Sequence, residues 1–225
     1  MLETEKYGVE QTGFLLQSSN GEFHFEMSGG EFCGNAARSA AIVISQITNK
    51  PENSFTMSGY AGVVQSRVID DNYIRCEFKG LPVLKREVSV EGSTATLVDL
   101  GGIVHVVIKA DFPKEYEVIH KQITQSLKLQ DKDAVGVIWI KQNADSVKID
   151  PVVWVRSIDT FFYETACGSG TIAVSATTGV QKITQPSGQD IVATIANDSV
   201  VLESAMDIVF EEKEAVQYVQ VFDLN

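Results

Sequence analysis

The chain reads as an α/β (α+β) protein of two pseudo-symmetric domains, each a curled, mainly antiparallel sheet around a central helix. Three observations predict this. Short alternating apolar segments bounded by Gly, Asn and Asp recur through most of the 225 residues. Two segments, opening at Cys33 and Cys167, are instead rich in small residues and apolar on nearly every side, as a helix enclosed by a sheet must be. The surroundings of those openings also repeat: Glu31-Phe32-Cys33-Gly34-Asn35-Ala36 is echoed by Glu164-Thr165-Ala166-Cys167-Gly168-Ser169-Gly170, each after strands and before a hairpin. No long linker separates the copies, so the domains are expected to pack closely around a cleft. Their boundaries are drawn at 1–87 plus 214–225 and at 88–213.

Residues 22–27 read as a strand, followed by the turn signal Gly29-Gly30. The first buried helix runs from Cys33 to about Ile47 and stops at Asn49-Lys50-Pro51. Residues 63–69 and 73–78 alternate, and Asp70-Asp71-Asn72 joins them as a hairpin. Ile74, Cys76 and Phe78 form the apolar face of its second strand, so Cys76 is expected to be a buried structural thiol. Residues 88–90, 95–100 and 105–108 are further short strands. Asp111-Phe112-Pro113 opens an amphipathic helix with Tyr116, Ile119, Ile123 and Leu127 on one face. Residues 134–140 and 152–156 are β-branched strands, and the second small-residue helix runs from Cys167 to near Gly179. Strands at 191–195, 200–202, 206–210 and 216–222 complete the chain, with Glu211-Glu212-Lys213-Glu214 as a solvated turn.

Composition bounds the partners. At 44% hydrophobic and 21% charged the chain is ordinary globular protein. A formal charge of −12 gives a surface that repels phosphate backbones and anionic lipid, so neither nucleic acid nor membrane is expected as a partner. No apolar run approaches the roughly 18 residues of a spanning helix. The start, Met1 to Lys6, carries no signal region, and a cytoplasmic location is expected. Three cysteines is an odd number without CxxC spacing, and His24, His105 and His120 are scattered, so neither a disulfide framework nor a metal site is expected. Nothing resembles a dinucleotide fingerprint, a P-loop or a pyridoxal-phosphate site, and no cofactor is expected.

The chemistry therefore falls to Cys33 and Cys167. A thiol at a helix N-terminus sees the positive end of the helix dipole, which favours thiolate below its usual pKa of about 8.5. Free N–H groups there can bind a carboxylate, and the glycine that follows lets a ligand approach the backbone. If the two helices converge, one carboxylate lies between two thiols. That arrangement suits stereoinversion: a thiolate removes the proton beside the carboxylate and the opposed thiol protonates the other face. The sulfurs are accordingly expected to face one another across the cleft. Cysteine hydrolase chemistry fits less well, because no histidine base adjoins either motif.

These residues resemble the diaminopimelate epimerase family of cofactor-independent racemases and epimerases. Glu164-Thr165-Ala166-Cys167-Gly168-Ser169-Gly170 is similar to its ETxACGSG signature, and Val9-Glu10-Gln11 to its FDQ segment. The resemblance implies catalytic cysteines at Cys33 and Cys167 and carboxylate binding by Gly34, Asn35, Gly168 and Ser169. It implies an amino acid as small-molecule substrate and keeps a homodimer open as the assembly. Phe23-His24, Met27-Ser28-Gly29 before Glu31, and Gln185-Pro186 with Gly188 resemble the histidine racemases of staphylopine-type metallophore biosynthesis.

Three departures from the diaminopimelate pattern follow. An arginine that grips a distal carboxylate is replaced at Asp159-Thr160, ahead of the aromatic run Phe161-Phe162-Tyr163. The Gly-Asn-Pro-His stretch appears as Gly101-Gly102-Ile103-Val104-His105. The family's first strand and Gly-Asn loop have no counterpart before Met1. The expected activity is histidine racemisation. Diaminopimelate epimerisation and a non-catalytic amino-acid-binding protein of the same fold are the alternatives; an isomerase of the phenazine-biosynthesis type would leave the cysteine pair unused. Four further assignments stand open. Glu164 tunes the site or caps its helix, and Glu31 caps. Glu10 contacts a substrate amino group or is a strand-edge charge. Of Phe161, Phe162 and Tyr163, two are expected in the core.

Overall fold

A computed structural model describes residues 10–70, 72–143 and 146–208. The first half carries β1 (Gly13–Gln17), β2 (Phe23–Met27), α1 (Gly34–Thr48), β3 (Glu52–Met57), β4 (Tyr60–Ile69) and β5 (Tyr73–Lys79). β6 (Leu84–Val90), β7 (Ser93–Asp99), β8 (Val104–Ile108) and α2 (Tyr116–Ser126) follow. Then come β9 (Ala134–Gln142), β10 (Val147–Val155), β11 (Thr160–Tyr163), α3 (Gly168–Thr178), β12 (Lys182–Thr184), β13 (Asp190–Ala196) and β14 (Ser199–Ala205). No helix is long and apolar enough to cross a membrane among these residues.

The pairing displays the repeat. β2 crosses through α1 to a parallel β3, which continues antiparallel into β4 and β5. β10 crosses through α3 to a parallel β12, which continues antiparallel into β13 and β14. β1 flanks β2 as β9 flanks β10, both antiparallel. The final strands of the two copies, β5 and β14, pair antiparallel from Lys79↔Ser199 to Tyr73↔Ala205, so one sheet runs through the whole molecule. β11 pairs with β10 off the main path. Each crossover holds its helix against the curl of its own half, which is why α1 and α3 tolerate few polar side chains.

One apolar core spans both halves, with Phe32, Ile44, Phe78, Ile172, Ile183 and Leu202 fully buried in it. Phe32 meets Phe78 edge-on at 5.3 Å, and Phe78 meets Tyr60 at 5.5 Å. A second cluster fills the opposite face, where α2 packs on the sheet through Ile123 against Val135, Val137 and Trp139.

Cys76 is fully buried on the inward face of β5, as the alternation predicts. β1, β3, β11 and β12 are strands that the periodicity does not announce. β1 has Phe14 and Leu16 on its outer side, 62% and 50% exposed, which removes the polar half of the alternation. β3 is largely polar and follows a proline, and β11 and β12 are only four and three residues long. The strand expected at 206–210 is not formed over its described part: β14 ends at Ala205, with one further backbone bond from Met206 N–H to Asn72 O at 2.8 Å. The expectations for Met1 to Lys6, for 211–214, for the strand at 216–222 and for the domain segment 214–225 lie outside the described residues.

Candidate active site

Cys33 and Cys167 occupy the same position in the two copies. Each is the N-cap of its helix in extended backbone, with φ/ψ of −129/111° and −138/103°. Each sulfur accepts an amide N–H of the first turn: Cys33 Sγ from Ala36 at 3.4 Å, Cys167 Sγ from Gly170 at 3.3 Å. Serine or aspartate usually takes this place. The two helix starts touch. A Cβ on Gly34 would lie 3.1 Å from the Gly168 carbonyl carbon, and a Cβ on Gly168 only 2.9 Å from that of Gly34, so glycine is needed for the approach. Asn35 fastens the junction: its Oδ1 accepts Gly168 N–H at 3.0 Å and its Nδ2 donates to Ala166 O at 2.7 Å. One of the amides expected to receive a carboxylate is thus already engaged.

The thiols are linked through two side chains. Cys33 Sγ donates to Gln11 Oε1 at 2.9 Å, and Gln11 Nε2 donates to Glu164 Oε1 at 2.5 Å. Glu164 in turn lies near enough to the Cys167 thiol to raise its pKa. Gln11 therefore sits between the two sulfurs, a placement that only the FDQ-like segment hinted at. Glu10 ties the same segment down, its Oε1 accepting the Thr165 N–H at 2.9 Å and the Thr165 hydroxyl at 2.7 Å.

Burial sets the electrostatics. Glu164 is pushed up to about 8, chiefly by desolvation, with Glu10 and Glu31 adding negative charge against it. The Cys33 thiol is pushed up to about 12 by burial and then by Glu164. Cys167 is raised well above the ordinary thiol range by the same two causes. Glu31 is also raised, first by burial, and its Oε2 has no hydrogen-bond partner. Neither glutamate caps a helix. The cysteines do so themselves, and both carboxyls point at the site instead.

His105, on β8, is fully buried and held down to about 3 by that burial, so it is neutral. Its Nε2 lies 2.9 Å from Ser169 Oγ, which is 3.7 Å from Cys167 Sγ. Gly136 makes room for the ring: a Cβ there would stand 2.1 Å from His105 Nδ1. Gln185 supports the cap from the other side, its Oε1 accepting the Cys167 N–H at 2.9 Å. Alternation on β8 placed His105 in a strand but gave no sign of this contact.

A narrow cleft opens at Gln11, Glu31 and Glu164, walled by Val153, Val155, Ile158 and Phe162. Its free space is about 20 Å³, room for about one water. Thr160 lines it, and no lysine or arginine does among the described residues. The aromatic run divides by strand alternation. Phe162 faces the cleft, whereas Phe161 rests on His120 at 4.9 Å and Tyr163 on Phe112 at 5.1 Å in the second core. No three groups that could hold a metal ion gather among the described residues.

The raised Glu164 carries a stability signature. Its folded pKa of about 8 exceeds its unfolded value of 4.5, so the folded state favours the protonated carboxyl. Its contribution is complete below pH 4.5 and is lost as pH rises to 8. Chemical denaturation from pH 4.5 to 8.5 should therefore show the wild type losing a few kcal/mol relative to Glu164→Gln. Parallel curves for the two proteins would contradict this burial.

The histidine racemase CntK N-terminal domain family matches residues 1–211. The chain belongs to this family. The histidine racemase of Fusobacterium nucleatum subsp. nucleatum is 30% identical over 95% of this chain and 84% of its own length. That of Staphylococcus aureus is 24% identical over 82% of this chain and 74% of its own. Among solved structures, a phenazine biosynthesis PhzF-family protein of Bacillus anthracis has a TM-score of 0.56 at 11% identity, covering 90% of this chain and 83% of that one. A phenazine biosynthesis PhzC/PhzF protein of Clostridium difficile has a TM-score of 0.52 at 17% identity, over 90% and 82%. These likenesses extend the fold to a wider set of proteins. As a member of the histidine racemase family, the chain is an isomerase.

Proposed function

We propose that the chain is a cofactor-independent histidine racemase in which Cys33 and Cys167 are the two acid/base groups. The observation that carries this is the hydrogen-bonded line Cys33–Gln11–Glu164, which ends beside Cys167 and spans two thiols at two abutting helix starts. A substrate entering the cleft displaces the Gln11 amide from between the sulfurs. Its carboxylate rests on the helix starts, with Gly34, Asn35 and Ser169 as the ligands, while the Gly168 amide stays bonded to Asn35 Oδ1. One cysteine, as thiolate, takes the Cα proton. The electron pair delocalises into the carboxylate, whose added charge the helix N-termini stabilise, and the other thiol donates its proton to the opposite face. Glu164, poised near pH 8, exchanges the proton of Cys167. Glu10 holds the strap that carries Gln11.

The cleft favours a flat, largely neutral side chain. Phe162 offers an aromatic wall, and Thr160 offers no cation to a second carboxylate, whose burial unpaired would be costly. That supports histidine over diaminopimelate. The parent superfamily is then that of diaminopimelate epimerase, with domains at 1–87 plus 214–225 and 88–213, and the product D-histidine would serve metallophore synthesis in the cytoplasm. L-Histidine incubated with the protein in D₂O should yield D-histidine carrying deuterium at Cα, while diaminopimelate reacts poorly. Faster turnover of diaminopimelate, or D-histidine that retains the original hydrogen, would refute the proposal.

A further inference from the structure

A buried cation lies beneath the two helix starts without a carboxylate partner among the described residues. Arg38, on α1, is 2% exposed. Its Nε donates to Gly34 O at 3.1 Å, one terminal nitrogen to Ser204 Oγ, and the other to Asn35 Oδ1 at 2.5 Å. All three acceptors are neutral. Asn35 Oδ1 also accepts the Gly168 N–H, so the guanidinium is one bond removed from the residue that follows each N-cap cysteine. The corresponding place after Cys167 holds Ile172, so the charge is single in an otherwise repeated arrangement.

Such a cation is costly. A lone buried charge is several kcal/mol uphill, and the dipole at a helix N-terminus opposes a positive group. Burial presses the guanidinium toward neutrality, and the groups that favour its charge are Cys76, Cys33 and Cys167 when ionised. The two-cysteine reaction, for its part, needs one thiolate in apolar surroundings beside Glu164, where the helix N-termini supply only partial positive charge and no lysine or arginine lines the cleft among the described residues. We propose that Arg38 is the buried counter-charge of that thiolate, a positioning residue shared by Cys33 and Cys167 through the Gly34–Asn35–Gly168 junction. This rests on the two-thiol reading of the site.

The test compares Arg38→Met, Arg38→Lys and Ser204→Asp with the wild type. Arg38→Met keeps the volume and removes a buried charge, so it should fold. Each protein is labelled with iodoacetamide across a pH series, with modification read at each cysteine by mass spectrometry, and histidine racemisation is followed over the same range. In Arg38→Met, labelling of Cys33 and Cys167 at pH 8 should fall about tenfold or more, and the racemisation profile should move up by about one pH unit. Arg38→Lys should fall between wild type and Arg38→Met, because it keeps a cation but not the guanidinium fork. Ser204→Asp, which neutralises the guanidinium in place, should mimic Arg38→Met and carries the comparison if that variant does not fold. A wild-type pH profile in Arg38→Met, equal impairment of the Lys and Met variants, or a change confined to Cys76 would overturn the proposal. Failure of the wild type to introduce deuterium at Cα would instead overturn the two-thiol reading, independently of the labelling.

Discussion

Cys33→Ala and Cys167→Ala should each reduce histidine racemisation by at least about 10³-fold, within the range that a positioned proton-transfer group contributes. Their residual chemistry should differ in hand. A variant that keeps one thiol can still take the Cα proton on that face and return a deuteron from solvent to the same face. Each variant should therefore exchange the Cα hydrogen of one enantiomer without inverting it, and the two variants should prefer opposite enantiomers. Losing an N-cap costs only about 1 kcal/mol, so both proteins should remain folded for the comparison. Proton NMR of L- and D-histidine in D₂O reads both quantities. Racemisation that survives in either variant, or exchange of the same enantiomer by both, would dismiss the paired acid/base site.

Gly59→Ala is the second large effect, and it arises from a backbone contact rather than from a group that takes part in the reaction. Gly59 turns β3 into β4 at φ +69°, where a side chain costs about 1–2 kcal/mol. A Cβ there would stand 2.0 Å from Phe32 N and 2.4 Å from the Glu31 carbonyl carbon. Those are backbone atoms immediately before Cys33, and they cannot yield without moving the N-cap. Destabilisation of about 3 kcal/mol or more follows, a melting temperature lower by about 6–12 °C for a chain of this size. A displacement of about 1 Å at Cys33 should lower turnover about 10²-fold. Thermal melting and racemisation rates check the two effects together; a variant within 2 °C of wild type with unchanged turnover would rule out this contact.

The sequence carried the parts of the molecule that local pattern encodes. Both central helices announced themselves through small apolar residues and a Cys-Gly start, and the hairpin of β4 and β5 through alternation. β3 and β1 were silent because periodicity needs a sustained contrast between faces: β3 has only Phe55 and Met57 to mark its inner face after a polar start, and β1 carries Phe14 and Leu16 on its exposed face. The division of Phe161, Phe162 and Tyr163 between core and cleft followed from strand alternation once β11 was known to be a strand. The site was legible as a pair of thiols but not as a network. Gln11 reaches Cys33 only because β1 pairs with β2, and His105 reaches Ser169 only because β8 lies beside β9. Arg38 read as one more residue of a helix; its neighbours from β14 and α3 give it meaning.

The seam between β5 and β14 also governs when the site can exist. Across it, Ser199 Oγ donates to Glu77 Oε1 from 122 residues away. Asn35 meets Gly168 over 133 residues and Arg38 meets Ser204 over 166. Contacts so distant along the chain close late, because loop entropy is spent before they return stability. A nascent chain that has emerged only through α1 therefore has Cys33 as an unpartnered cap, and even a chain extended through α3 lacks the strand that carries Ser204. The two thiols begin as independent, solvent-exposed groups open to oxidants. They become a buried pair only in the folding step that joins the halves, so under the proposed two-thiol mechanism acquiring activity and sheltering the cysteines are the same event.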